Sequence, residues 1–160
     1  MGSESKVGQQ RDPHSSFQLA ERAAYWTLIK KSEDVLLLDL RARSDVCDFF
    51  VICTGRSDMQ VRAIAKAIRE GLADEGLTPL HVEGLRESRW VLLDYVDVVV
   101  HVFLPEARQY YLLERLWGDA PRIEIDDAYF GTDEVRGRHP ELTGLFSGDQ
   151  SPPPTPSDES

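Results

Sequence analysis

The chain has 160 residues, of which 41% are apolar and 29% charged. That is enough for one domain, which would bury about two thirds of its unfolded surface. No stretch approaches the roughly 20 consecutive apolar residues of a membrane helix, and the start carries no hydrophobic secretory segment. The formal net charge of -10 argues against a general nucleic-acid binder, whose affinity comes largely from neutralising phosphates, and permits a basic protein partner or nucleic-acid contact through a local patch.

In chain order, residues 1–14 read as a disordered lead with no Arg-rich amphipathic helix of the transit-peptide kind. Ser16 is a suitable cap for a helix from Phe17. Leu19, Ala20, Ala23, Ala24, Leu28 and Ile29 give that helix an apolar side, with Trp26 elsewhere on its surface. Val35 to Leu40 and Phe49 to Thr54 are short, almost wholly apolar runs, the signature of interior strands. Gly55-Arg56-Ser57 turns the chain, and Ser57 followed by Gln60 has capping-box spacing. Val61, Ile64, Ala65, Ile68 and Leu72 then form one buried helical stripe, and Gly76 suits a left-handed helix end.

Three strand candidates follow: Leu80 to Glu83, Trp90 to Asp94 and Val98 to Phe103. The short link between the last two predicts an antiparallel hairpin. Pro105 suits the first turn of a last helix running to about Trp117. The order of helix, two strands, helix, three strands and helix predicts a mixed five-stranded sheet flanked by helices, over residues 15–125. Residues 126–160 carry much of the acidity and turn to Gly, Pro, Ser and Asp, so they read as a flexible acidic tail.

Few residues invite chemistry. Gly55, Arg56, Ser57 and Asp58 stand at a strand-to-helix turn that could cradle a phosphate. The Walker lysine and the dinucleotide glycine pattern are both missing. A Gly-Ser pair there also begins the pattern of nucleotidyltransferases, which need paired carboxylates for magnesium. Asp94 and Asp97 flank a hairpin and are the available pair, so a small magnesium-dependent nucleotidyltransferase using Gly55, Ser57, Asp94 and Asp97 stays open beside a plain turn and cap. His14, His81, His101 and His139 have no metal-binding spacing. Cys47 and Cys53 suit a reducing compartment and leave room for one bridge. No catalytic residue, cofactor or metal ligand is assigned. Arg62, Lys66 and Arg69 make a basic helix stripe that could face RNA or an acidic protein, beside the plain reading of a solvated face.

The last helix is different. Tyr110, Leu113 and Trp117 lie on one side, Leu112 and Leu116 on another, and Ala107 and Tyr111 on a third. One sheet cannot cover all of them, so either the tail packs over the helix or some of this surface is meant for another protein. Tyr, Trp and Arg are the types enriched at interface hot spots, which favours a protein-binding face, for a foreign partner or for a homodimeric adaptor.

Taken in order, Asp48-Phe49-Phe50-Val51-Ile52-Cys53-Thr54-Gly55-Arg56-Ser57, Glu83-Gly84-Leu85, Trp90-Val91-Leu92-Leu93-Asp94, Val99-Val100-His101-Val102-Phe103 and the run from Arg108 to Trp117 resemble the ribosomal silencing factor, or Iojap-like, family. The resemblance spans roughly residues 17–123. It implies a nucleotidyltransferase-like topology without that group's catalytic carboxylates, and a repressor rather than an enzyme. It further implies binding to the large ribosomal subunit through its ribosomal protein fourteen, steric prevention of small-subunit joining, and damped translation when nutrients are scarce. Trp90, Asp94, His101, Arg108, Tyr110, Tyr111, Glu114 and Trp117 are the expected contact residues. A homodimer of the free protein, a cytoplasmic location, and no membrane or sequence-specific nucleic-acid partner complete the expectation.

Overall fold

The computed structural model describes residues 13–142. Residues 1–12 of the expected lead and the expected tail from residue 143 lie outside the described residues, whereas positions 13 and 14 already belong to the first helix, so Ser16 sits within that helix and not at its cap. Helix α1 (Pro13–Ile29) leads into strands β1 (Glu33–Asp39) and β2 (Phe49–Thr54), then α2 (Asp58–Ala73). Strands β3 (His81–Glu83), β4 (Trp90–Asp94) and β5 (Val98–Phe103) follow, then short helices α3 (Pro105–Tyr111) and α4 (Leu113–Leu116). Strand β6 (Arg122–Ile125) precedes a 3-10 turn (Asp127–Gly131), helix α5 (Asp133–Arg138) and a second 3-10 turn (Pro140–Leu142).

The sheet is mixed, with order β3-β4-β5-β2-β1-β6; β2 and β5 run parallel and every other neighbouring pair antiparallel. It has six strands, not the expected five. The sixth, Arg-Ile-Glu-Ile, is only four residues long and pairs with β1 from Val35 opposite Ile125 to Leu38 opposite Arg122. Its alternation is too brief to stand out from its acidic surroundings, and an edge position next to β1 supplies what the segment lacks alone.

Strand alternation sorts the apolar residues into two layers. Leu37, Val51, Cys53, Val91, Leu93, Val98, Val100 and Val102 face α1 and α2, joined by Ile64, Ile68 and Leu72 from the predicted stripe. Leu36, Leu38, Leu40, Cys47, Ile52 and Phe103 face the other way, under Ala107 and Leu113. Cys47 and Cys53 are both free and lie on opposite faces of the sheet, which answers the open question of a bridge. The Gly76 expectation holds: φ is +84° and the Leu77 N–H donates to the Leu72 carbonyl at 3.0 Å. Trp26 is not simply a surface residue. Its indole lies flat on α2 at Gly71, where a Cβ would come within 2.2 Å of the ring.

The expected tail is corrected between 126 and 142. Phe130, Val135 and His139 are buried against α1, and Phe130 meets Tyr25 edge-on at 5.4 Å. The polar composition of this strap conceals three anchors, and its charges are used. Glu21 on α1 is fully buried and receives Arg138 Nε at 2.9 Å, the Tyr129 hydroxyl, and His139 Nε2 at 2.7 Å. Burial alone would raise the Glu21 pKa. The His139, Arg138 and Tyr129 hydrogen bonds outweigh that and hold it down at about 2. His139 therefore belongs to the domain and not to a floppy end.

Candidate functional site

Among the described residues the strap, α1 and α2 cover one sheet face, and the 105–120 segment lies over the other with Cys47 from the β1–β2 connection. That segment is not one helix. Leu112 adopts φ +48° and ends α3, its N–H closing onto the Arg108 carbonyl at 2.9 Å. A continuous helix would aim Tyr110, Tyr111, Leu112 and Leu113 round more than half its circumference. The break turns Leu113 into the core and leaves Tyr110 78% and Leu116 74% exposed, with Tyr111 and Leu112 partly so. Surplus apolar surface is thus concentrated on one short segment.

Beneath it runs a line of rings assembled from β2, β4 and β5. Trp90 stacks on Phe103 at 4.9 Å and meets Tyr111 at 4.7 Å, and Tyr111 meets Tyr110 edge-on at 5.0 Å. On the other side of His101, Phe50 approaches the imidazole at 4.5 Å and Trp117 at 6.2 Å. Of the expected contact residues, Trp90, His101, Tyr110, Tyr111 and Trp117 are therefore brought together. Phe50 and Phe103 were missed, although their strand parity, shared with His101, is the signal that places them on this face. Gly84, at φ +88°, permits the approach of β4: a Cβ there would lie 2.0 Å from the Trp90 carbonyl oxygen.

The remaining expected residues stand apart from the rings. Arg108 and Glu114 pair with each other at 3.2 Å, and Arg108 Nη1 donates to the Asp34 carbonyl at 2.7 Å and Thr54 Oγ1 at 2.9 Å. They pin α3 to the ends of β1 and β2. Asp94 lies at the opposite end of the sheet, accepting the Val96 N–H at 2.8 Å. His101 is only 3% exposed, so it is a support within the face and not a surface contact. The Arg62, Lys66 and Arg69 stripe is partly satisfied at home: Arg62 donates to Ser88 Oγ and lies near Asp58, and Lys66 lies near Glu70.

The nucleotidyltransferase arrangement is not assembled. Gly55 sits beside Phe103, its N–H donating to that carbonyl, whereas Asp97 precedes Val98 at the other end of β5. Six residues of strand put them about 20 Å apart. The turn is also internally satisfied: Ser57 Oγ accepts the Gln60 N–H, and the Gln60 side chain accepts from Arg56 N–H and donates to the Lys30 carbonyl. Among the described residues no cluster of three or more His, Cys, Asp and Glu could hold a metal ion. A ring-lined, partly apolar face suits docking to another protein.

Comparison with known proteins agrees with this geometry. The family model described as "ribosomal silencing factor during starvation" matches residues 13–144. The ribosomal silencing factor of Bacillus subtilis is 50% identical over 97 residues, covering 61% of this chain and 82% of that protein. Two solved structures share the fold. A Chromobacterium violaceum protein has a TM-score of 0.61 at 34% identity, over 68% of this chain and 88% of its own. A Bacillus halodurans protein has a TM-score of 0.58 at 42% identity, over 68% and 96%.

Proposed function

The chain belongs to the ribosomal silencing factor family, and we propose that it represses translation by occupying the large ribosomal subunit where the small subunit must join. A ribosome-associated role in regulating translation follows from family membership. One observation supports occupancy of the joining surface: Tyr111 and the 78% exposed Tyr110 carry the aromatic line to the surface, on a segment that also leaves Leu112 and Leu116 exposed. Exposed aromatic side chains on a rigid support are what a protein-binding hot spot needs.

Trp90, Tyr110, Tyr111 and Trp117 are proposed as the contact group, with His101 beneath them. Asp94, Arg108 and Glu114 are proposed as flanking contributors. The partner would be a basic protein of the large subunit, ribosomal protein fourteen in its series. The net charge of -10 favours encounter with such a surface and disfavours unspecific adherence to phosphate. Two bulky subunits cannot share one surface with a docked domain, so inhibition requires occupancy and no turnover. The proposed place of action is the cytoplasm. A homodimer of the free protein would compete for the same exposed rings.

The test is binding of Tyr110→Ala to purified large subunits beside the unmodified chain. Loss of binding by a variant of unchanged circular dichroism supports the reading; full binding removes Tyr110 from the contact group.

A further inference from the structure

We propose that His101 is a positioning residue: it holds the Trp90 indole in the orientation that the docking face presents to its partner. This rests on the docking reading above. The single hydrogen bond between them runs from Trp90 Nε1 to His101 Nδ1 at 3.1 Å, which makes Nδ1 the acceptor and places the imidazole proton on Nε2. That Nε2 is buried and has no hydrogen-bond partner among the described residues. The imidazole is packed between Phe50 and Phe103, where an apolar ring would remove the unpaired Nε2 donor but leave the Trp90 indole N–H without its acceptor. Burial holds its pKa near 3, so the neutral form is kept.

For the fold alone, a hydrocarbon here exchanges one unpaired donor, His101 Nε2, for another, Trp90 Nε1, and is close to neutral. What histidine supplies, and leucine or phenylalanine cannot, is one acceptor aimed at an indole. Trp90 is half-buried and stacked on Phe103 on one side and Tyr111 on another, so the hydrogen bond fixes the ring within its plane where stacking alone would let it slide. Tyr111 in turn carries Tyr110, which is 78% exposed. Orientation set at His101 therefore propagates outward through two ring contacts to the surface that meets the partner.

A positioning role separates binding from stability. His101→Leu and His101→Phe in the full chain should melt within about 5 °C of the unmodified protein. Their affinity for purified large subunits should fall at least about tenfold, the scale of a lost hot-spot contribution. His101→Asn, whose side-chain oxygen can stand near Nδ1, should recover much of the binding. The independent readout is the indole N–H region of a nitrogen-15 spectrum, where Trp90→Phe identifies the Trp90 signal. That signal should shift upfield in His101→Leu and stay near its original position in His101→Asn. His101→Leu and His101→Phe that bind as tightly as the unmodified chain would overturn the proposal. So would variants whose binding falls only in step with their melting temperature. If Trp90→Ala and Tyr110→Ala are also silent, the docking face itself has been misassigned; if those two lose binding while His101→Leu keeps it, only the positioning role falls.

Discussion

Replacing Glu21 by glutamine should expose how much the strap from 126 to 142 depends on one buried charge. The Glu21 carboxylate is wholly enclosed and serves Arg138, His139 and Tyr129 at once. Its pKa is held from 4.5 to about 2, a shift worth about 3 kcal/mol of folding stability at neutral pH. The folded-state pKa is depressed, so this contribution is complete above about pH 5 and is lost as the pH falls toward 2. Glu21→Gln keeps the volume and removes the charge. Urea denaturation followed by circular dichroism should show the variant about 3 kcal/mol less stable at pH 7. The gap should shrink to half or less at pH 3, because Glu21 is by then protonated in the unfolded chain and the folded protein must hold its carboxylate ionised against the falling pH. A gap below about 1 kcal/mol at pH 7, or one equally large at both pH values, would refute the reasoning.

Other outcomes follow from single contacts. Gly71→Ala should destabilise the domain by about 2 kcal/mol in the same assay, because its Cβ would meet the Trp26 ring at 2.2 Å and force the two helices apart. Val96 holds φ +75° at an exposed turn, costly for a branched side chain, so Val96→Asn should raise stability by about 1 kcal/mol. Tyr110→Ala should change stability by less than about 0.5 kcal/mol while weakening large-subunit affinity by about tenfold or more, read by equilibrium titration.

The central strands and α2 were legible because their residues obey one period each. Val61, Ile64, Ala65, Ile68 and Leu72 all reach the core as the stripe predicts, and Ser57 caps as its spacing predicts. What failed was wherever tertiary context decides. Four residues of β6 become a strand because β1 offers a free edge. The strap orders because Phe130, Val135 and His139 find α1, although average composition there reads as tail. The last helix breaks because four consecutive bulky residues cannot share one inward face. The exposed tyrosines of the site were visible from excess apolar content on that helix. The ring line was not, since it depends on β4, β5 and β2 being neighbours, and strand order across a parallel crossover leaves no mark in local sequence. Arg108 and Glu114 look like interface charges in sequence and prove to be paired with each other.

The most direct test of the central claim is subunit joining on a sucrose gradient. Purified small and large subunits are mixed at joining magnesium concentration, with and without the full chain, and each fraction is probed for it. The account predicts that the protein travels with the free large subunit and that the joined peak falls, an effect that Tyr110→Ala weakens. Protein left at the top of the gradient beside an undiminished joined peak would contradict it.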